Sequence, residues 1–200
     1  MNRTVAVSKR AQKRIQSLNL WVYKSDVINH DGAAREIKNG EIVDVTDEKG
    51  RFLAQAYFSG LSQITLRILT RQAGEKIGEK FIKARLADAL NRRRSSIDFS
   101  KVSIIRLLNS EADFLPGLVV DKYADTLVLQ SLSAGAENFI EYAVEFYQKE
   151  LNPSGIFIKN DAPVRKLEGL ALGASWRGKP VTEAKRVLSD GIYYLIDFAG

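Results

Sequence analysis

The sequence has no cysteine and only one histidine, and each shortage excludes a class of chemistry. Without cysteine there is no disulfide framework, no thiolate nucleophile and no zinc–thiolate site. A histidine-based catalytic triad would have to use His30, which lies in the polar stretch Asn-His-Asp-Gly that is typical of a solvated loop. The residues therefore favour neither a catalytic group nor a metal site in this chain.

Long apolar runs and nucleotide-binding loops are missing too. No apolar run approaches the roughly 20 residues that a membrane span needs, and the amino terminus lacks the apolar core of a secretory signal. No Gly-x-x-x-x-Gly-Lys phosphate loop, no Gly-x-Gly-x-x-Gly after a strand and no Gly-x-Ser-x-Gly nucleophile elbow occurs. These absences predict a cytoplasmic protein that makes no membrane contact and has no cofactor site within this chain.

Two groups of charged residues are candidates for a polar site. Glu111, Asp113 and Asp121 could form a paired-carboxylate site for acid–base chemistry. The first two precede the turn at Pro116-Gly117, where short acids also bond to nearby backbone groups, and this structural role is the favoured interpretation. The second group is expected to be an ion-pair network that fixes a loop, and it consists of Asp161, Arg165 and Glu168.

The positive charge is concentrated in the first half of the chain. The formal net charge is +6, but residues 1–100 hold 19 Lys and Arg against 11 Asp and Glu, whereas residues 101–200 hold 11 against 13. The first acidic residue is Asp26, after six basic ones. A basic half suggests an anionic partner, most commonly nucleic acid. The alternative is a charged surface that only meets solvent.

A short basic helix is predicted close to the amino terminus. Ser8 can cap it, and Ala11, Ile15 and Leu18 recur at helical spacing. This apolar stripe leaves basic side chains on its flanks, where they could meet the phosphate backbone of a nucleic acid. Together with Lys24, the expected phosphate contacts are Lys9, Arg10, Lys13 and Arg14.

Strand patterns dominate the next 50 residues. Apolar and polar residues alternate, or β-forming residues are abundant, in four segments: 20–23, 41–47, 51–58 and 64–70. A turn is expected at Glu48-Lys49-Gly50. One helix and several strands predict a small β pseudo-barrel over residues 1–72. Within it, Trp21 and Tyr23 are candidates for stacking on an unpaired base or ribose. For Trp21 the alternative is a role as a core anchor of the barrel.

Residues 74–96 have the pattern of a helix that connects two domains, and we assign the connector to 73–99. An apolar stripe runs along this helix through Phe81, Ile82, Leu86, Ala89 and Leu90. At its carboxy-terminal end lie Arg92, Arg93 and Arg94. These cations either interact favourably with the negative end of the helix dipole or extend the set of basic residues expected to contact RNA.

The second half is predicted to be a small α+β domain over residues 100–198. Strands are expected at 102–109, 117–123, 126–133 and 155–160, and a helix at about 136–150. Two short strands around 186–188 and 192–196 are joined at Asp190-Gly191. The order predicts a β-β-α-β-β sheet with a helix packed on it.

Three segments resemble a known family. Residues 110–137, SEADFLPGLVVDKYADTLVLQSLSAGAE, and residues 161–170, DAPVRKLEGL, are similar to two motifs of large-subunit ribosomal RNA methyltransferases that make 5-methylcytosine. Residues 18–27, LNLWVYKSDV, resemble a third motif, with Asn19 and Leu20 in place of its His-Pro. The resemblance covers essentially all 200 residues.

The resemblance implies an architecture of three domains. It comprises an amino-terminal PUA domain that binds RNA, a central α+β domain, and a class I methyltransferase domain that binds S-adenosylmethionine. We expect this chain to match only the first two and to contain no Rossmann domain. The fold class expected here is therefore α+β in two domains. In the family, a cysteine thiolate attacks cytosine C6 and C5 takes the methyl group.

The expected function is the RNA-binding and substrate-recognition portion of such a methyltransferase, inactive by itself. The expected partner is large-subunit ribosomal RNA, and a homodimer is a further expectation. The cofactor, S-adenosylmethionine, is expected only in the full-length family. The alternative is a stand-alone RNA-binding or interaction module with no role in methylation.

Overall fold

The computed structural model describes residues 2–28 and 36–198, and His30 lies outside the described residues. Two five-stranded mixed sheets and one two-stranded sheet make up its β structure. Helices pack against the two larger sheets, and each of these sheets has its own apolar core cluster.

The first sheet contains strands from residues 3 to 70. Its strand order is β1-β3-β4-β5-β2, with β1 parallel to β3 and the other neighbours antiparallel. The sequence predicted these strands except β1, whose short Arg-Thr-Val-Ala sequence has no long alternation. The bounds are β1 (Arg3–Ala6), helix α1 (Lys9–Gln16), β2 (Trp21–Tyr23), β3 (Ile42–Thr46), β4 (Phe52–Phe58) and β5 (Ile64–Thr70).

Helix α1 covers the core of the first sheet with its apolar stripe. Ser8 caps the helix, since its hydroxyl accepts a hydrogen bond from the Ala11 N–H at 3.3 Å. Ala11 and Ile15 are buried against the sheet, so the basic residues between them face outward. Leu18, which the pattern assigned to the same stripe, is instead exposed, because the helix ends at Gln16 and Leu18 has a positive φ.

The second sheet has the order β10-β9-β8-β7-β6, with one parallel pair, β8 and β9. Helix α2 packs against helix α4 and strand β6, and the three share one apolar core. The bounds are α2 (Glu79–Ser96), β6 (Ile104–Asn109), β7 (Leu118–Tyr123), β8 (Thr126–Ser131), α3 (Ala134–Glu137), α4 (Ile140–Leu151), β9 (Gly155–Asn160), α5 (Val164–Leu167) and β10 (Gly173–Gly178).

The β-β-α-β-β arrangement expected for the second half is wrong. The sheet gains a fifth strand, β10, whose Gly173, Ala174 and Ser175 have low strand propensity and gave no signal. The two last strands, β11 (Lys185–Ser189) and β12 (Ile192–Ile196), do not join the sheet but form a separate hairpin. Ser189 ties this hairpin to the sheet edge, since its hydroxyl accepts the Ser103 and Ile104 N–H groups at 3.1 Å each.

Tyr57 of β4 joins the two halves of the chain. Its side chain is fully buried and belongs to the apolar core of the second sheet. The phenol donates a hydrogen bond to the Pro116 carbonyl and bonds to the Ser133 hydroxyl at 2.9 Å. Gly135 lies against the ring, where a Cβ would come within 2.0 Å of a ring carbon. Only glycine fits at this contact.

A buried ion pair lies beside Tyr57. The Arg67 guanidinium donates to the Glu168 carboxylate at 2.8 Å, with side-chain exposures of 7% and 1%. The other carboxylate oxygen accepts the Ala134 N–H at 3.3 Å, and the Glu168 carbonyl accepts from the Asn39 amide at 2.6 Å. Breaking such a pair typically costs about 3–5 kcal/mol, because it leaves one charge buried without a partner.

Gly135→Ala tests the contact with Tyr57. The added methyl would force the Tyr57 ring out of its bonded position, and we expect the free energy of unfolding to fall by about 2–3 kcal/mol. The measurement is urea denaturation followed by circular dichroism. Gly173→Ala is the matched control, because no atom lies within 4 Å of its Cβ position, and it should change stability by less than about 0.5 kcal/mol. Equal stability of the two variants would contradict the assignment.

Candidate nucleic-acid interface

The basic residues of α1, together with Lys24 of the following turn, divide into a paired set and an unpaired set. Arg10 donates to Asp26 at 2.8 Å, and Arg14 lies 3.9 Å from the other oxygen of the same carboxylate. Asp26 is buried, and its carboxylate also accepts from the Ser8 hydroxyl at 2.8 Å. Burial raises the pKa of Asp26, but hydrogen bonds from Arg10 and Ser8 outweigh it, so the pKa lies below its usual range.

Three lysines make up the unpaired set. Lys9 and Lys13 are exposed one helical turn apart on the same face, and Lys24 is exposed two residues before Asp26. Among the described residues, no carboxylate lies within ion-pair distance of these three ammonium groups. Their charge is therefore available to an external anion. We call Lys9, Lys13 and Lys24 the lysine face.

Tyr23 and Trp21, the expected stacking residues, have partners within the protein. The Arg14 guanidinium lies 5.0 Å from the centre of the Tyr23 ring, and both side chains are partly exposed. The Trp21 indole N–H donates to Glu111 of the second half at 2.8 Å, and the ring packs on the first core. These contacts favour the anchoring role for Trp21 over stacking on a base.

The arginine triplet binds carboxylates at the end of α2. Arg92 donates to Asp113 at 2.9 Å, and Arg93 forms two hydrogen bonds of 2.6 Å with the same carboxylate. Arg94 contacts Glu150 at 3.5 Å. These pairs fasten the helix end to the 3₁₀ turn at Ser110–Asp113 and to α4. A contact of the triplet with RNA stays a prediction, and it would have to compete with these partners.

The acidic candidates do not form a paired-carboxylate site. Glu111 binds Trp21, Asp113 binds the arginines, and Asp121 accepts two hydrogen bonds of 2.9 Å from Arg106. The expected network of Asp161, Arg165 and Glu168 does not exist as such, because each has another partner. These partners are Lys159 for Asp161, Glu137 for Arg165 and Arg67 for Glu168.

The described residues offer neither a metal site nor a membrane-spanning helix. Within residues 2–28 and 36–198, no group of three or more His, Asp or Glu side chains is placed to hold a metal ion. In the same ranges no helix is both long and apolar enough to cross a membrane.

Sequence reasoning missed two arginines, one at the carboxy-terminal end of α1 and one on α2. Arg71 donates to the Ile15 and Asn19 carbonyls, at 2.8 Å and 3.0 Å, and so holds the end of α1. Arg85 lies over the rings of Phe81 and Phe114. Of these contacts, the sequence could have indicated only that between Arg85 and Phe81, because residues four apart on a helix are neighbours.

Comparison with known proteins gives the chain its relatives. Residues 5–71 match the family described as a PUA-like domain. Ribosomal RNA large subunit methyltransferase I of Tolumonas auensis is 33% identical over 202 residues, covering 100% of this chain and 50% of that protein. The protein of the same name from Klebsiella pneumoniae is 31% identical, covering 98% and 48%. The chain thus spans about half the length of these curated relatives.

Solved structures agree with the sequence relatives on the fold. A chain assigned as a SAM-dependent methyltransferase from Streptococcus mutans superimposes with a TM-score of 0.78 at 15% identity, covering 96% of this chain and 48% of its own. A methyltransferase complexed with SAH gives a TM-score of 0.77 at 16% identity, covering 96% and 47%. Nearly the whole chain therefore has the fold of part of these methyltransferase chains.

This likeness overturns the fold class predicted from the sequence. That prediction set the chain apart from the methyltransferase fold and described its second half as a small domain without a Rossmann domain. Instead, 96% of the chain superimposes on the methyltransferase structures, and both of its larger sheets are five-stranded and mixed. The domain boundaries at 72 and 99 stay predictions.

Asp113 should make stability dependent on pH. Burial raises its pKa, but hydrogen bonds from Arg93, Arg92 and the Asn109 N–H outweigh that effect and hold the pKa below its usual range. The carboxylate therefore stabilises the fold fully above pH about 4, and this contribution is lost as the pH falls through the lowered pKa.

Asp113→Asn should lower the free energy of unfolding at pH 7 by about 2–4 kcal/mol, because Arg93 loses its charged partner. The loss of stability between pH 5 and pH 2 should become shallower than in the parent protein. Urea denaturation across this pH range measures both effects. Glu183→Gln removes one exposed charge and serves as control. A pH profile as steep as that of the parent protein would refute the role of Asp113.

Proposed function

We propose that this chain binds large-subunit ribosomal RNA so that a base of that RNA can be methylated. Support comes from its PUA-like domain and from its homology, over its whole length, to the ribosomal RNA large subunit methyltransferase I family, whose members are about twice as long. Its own part is RNA recognition, which holds structured RNA so that one cytosine can be methylated. The methyl donor is S-adenosylmethionine, and the setting is the cytoplasm.

The lysine face is the observation that carries the proposal. Its three ammonium groups are exposed on the PUA-like domain and have no carboxylate partner among the described residues. Arg10 and Arg14, held in position by Asp26, border the face and add two guanidinium groups that are partly exposed. Such cations release the counterions of RNA phosphates and provide salt-dependent affinity. Contacts of this kind orient an RNA without reading its sequence.

The chain's own residues support recognition better than chemistry. Methylation of cytosine C5 in the family uses a cysteine thiolate, and this chain has no cysteine. The acids that the sequence offered for acid–base work are engaged in ion pairs or hydrogen bonds with Arg92, Arg93, Arg106 and Trp21. We therefore propose that the transfer of the methyl group depends on a part of the relatives that this chain does not match.

Neutralising the lysine face tests RNA recognition. The triple variant Lys9→Gln, Lys13→Gln and Lys24→Gln should bind large-subunit ribosomal RNA fragments at least 10-fold more weakly at 0.1 M salt. The slope of log affinity against log salt should shrink by about 2 to 3, because three phosphate contacts are lost. Fluorescence anisotropy at several salt concentrations measures both quantities.

The control is a second triple variant with the same net charge. Lys49, Lys149 and Lys166 are exposed lysines at sites remote in sequence from α1, and their change to Gln should leave affinity within about 2-fold. Equal weakening by the two triple variants would reduce the lysine face to one part of a diffuse charge. Failure of the parent chain to bind any fragment at low salt would refute the proposed function.

Calorimetry with S-adenosylmethionine tests the division of labour. We expect no heat of binding above the dilution heat when the chain is titrated with the cofactor. A methyltransferase known to bind the cofactor, titrated under the same conditions, provides the positive control. Binding with a micromolar dissociation constant would show that this chain holds the methyl donor and would overturn its assignment to recognition alone.

A further inference from the structure

A second, aromatic surface lies at the first turns of α2. The Arg85 guanidinium is 5.2 Å from the centre of the Phe81 ring and 5.4 Å from that of the Phe114 ring, so one planar cation contacts two rings. Phe81 is buried, whereas 40% of Phe114 is exposed. Arg85 lies over the Phe114 ring, and both side chains are partly exposed, so we call this pair of flat groups the stacking platform.

The backbone holds Phe114 in place. It has φ +59° and ψ +26°, in the left-handed region that side chains with a Cβ disfavour. The preceding 3₁₀ turn is fixed at two points, by Trp21 on Glu111 and by the arginines on Asp113. An exposed aromatic ring therefore stands on a rigid, unfavourable backbone where glycine would be easier to accommodate.

A cavity large enough for a nucleotide adjoins the platform at Arg85. Phe81 and Arg85 line an open cavity of about 850 Å³ at the start of α2. Lys76 and Lys80, both exposed, also line it. The acids on its wall are Glu75, Glu79 and Asp88, of which Glu79 pairs with Lys83. With nearly balanced charge, the cavity favours a ligand that stacks over one that is held by charge alone.

We propose that the stacking platform of Arg85 and Phe114 binds an unpaired base of RNA, with Lys76 and Lys80 near its phosphate. Aromatic rings and guanidinium planes are the groups on which unstacked bases of single-stranded RNA lie. Glu111 connects this platform to Trp21, two residues before Tyr23 at the lysine face. The inference rests on the proposed function and adds to it a class of ligand: RNA with an unpaired base.

The test compares a single-stranded probe with a paired one. The probes are a fluorescein-labelled ten-residue oligoadenylate and a ten-base-pair RNA duplex without overhangs. Phe114→Gly should weaken binding of the oligoadenylate by roughly 5- to 100-fold, as loss of one stacked base does. Binding of the duplex should stay within about 2-fold, and the salt slope should not change, because no charge is removed.

Three variants separate stacking from other effects. Phe114→Trp keeps a flat ring and should retain the affinity for oligoadenylate. Arg85→Lys keeps the charge but removes the plane, and should weaken this probe alone. Ala124→Gly, at another non-glycine residue with positive φ, removes the same kind of strain and should leave both affinities unchanged. Circular dichroism at the assay temperature should show Phe114→Gly folded like the parent protein, so that a weaker affinity reports the lost ring.

The outcomes distinguish this inference from the proposed function. Binding of both probes by the parent chain with no effect of Phe114→Gly would overturn the platform and leave RNA recognition intact. Equal loss on both probes would overturn it as well, since a general contact and not a stacked base would then be lost. Binding of ribosomal RNA fragments without binding of the oligoadenylate by the parent chain would overturn the platform alone, whereas binding of neither probe and of no ribosomal RNA fragment would refute the proposed function and, with it, the platform.

Discussion

The ion pair between Arg67 and Glu168 is the contact on which the arrangement of the two sheets depends. Both side chains are almost fully buried, and the two residues are 101 positions apart in the chain. Two charges in the interior are tolerated only when their remaining donors and acceptors are also satisfied. Ser59 and Ile64 accept from Arg67, and the Ala134 N–H donates to Glu168. The pair therefore requires both halves of the chain to be folded around it.

The segments that carry the family resemblance build this joint more than they build a chemical site. In the segment 110–137, Pro116 and Ser133 bind the Tyr57 phenol, and Gly135 leaves room for its ring. In the segment 161–170, Glu168 binds Arg67. These residues of the two segments therefore join the two sheets of this chain. They do not indicate which base is modified, because none of these groups is exposed to a ligand.

The sequence predicted elements well where a local pattern specified them. Strands β5 and β9 were predicted at their observed bounds, because apolar residues recur through 64–70 and are consecutive at Ile156–Ile158 within 155–160. Strand β10 was missed, since Gly173, Ala174 and Ser175 acquire strand conformation only by pairing with β9. The hairpin β11–β12 was located but assigned to the sheet, because its partner in space cannot be read from its own residues.

The candidate site shows the same limit for side chains. Composition identified the basic segment around α1, but not that Arg10 and Arg14 share Asp26 while Lys9, Lys13 and Lys24 stay unpaired. The Arg92–Arg94 triplet looked equally basic, yet Asp113 and Glu150 take up its donors. Which cations are available to an anion depends on carboxylates far along the chain, and single-sequence reasoning does not supply those pairings.

The rigid contact between the two larger sheets also affects how the chain can recognise RNA. The lysine face lies beside the core of the first sheet and the stacking platform beside that of the second, and the two are connected through Trp21 and Glu111. A long RNA that contacts both surfaces gains from each contact only if the distance between them is fixed before binding. The buried Tyr57 and the ion pair of Arg67 supply that fixed distance without using an exposed charge. These buried polar contacts restrict which residues can pair in the core. Because they use neither the exposed lysines nor Phe114, the lysine face and the stacking platform stay available to contact the same RNA.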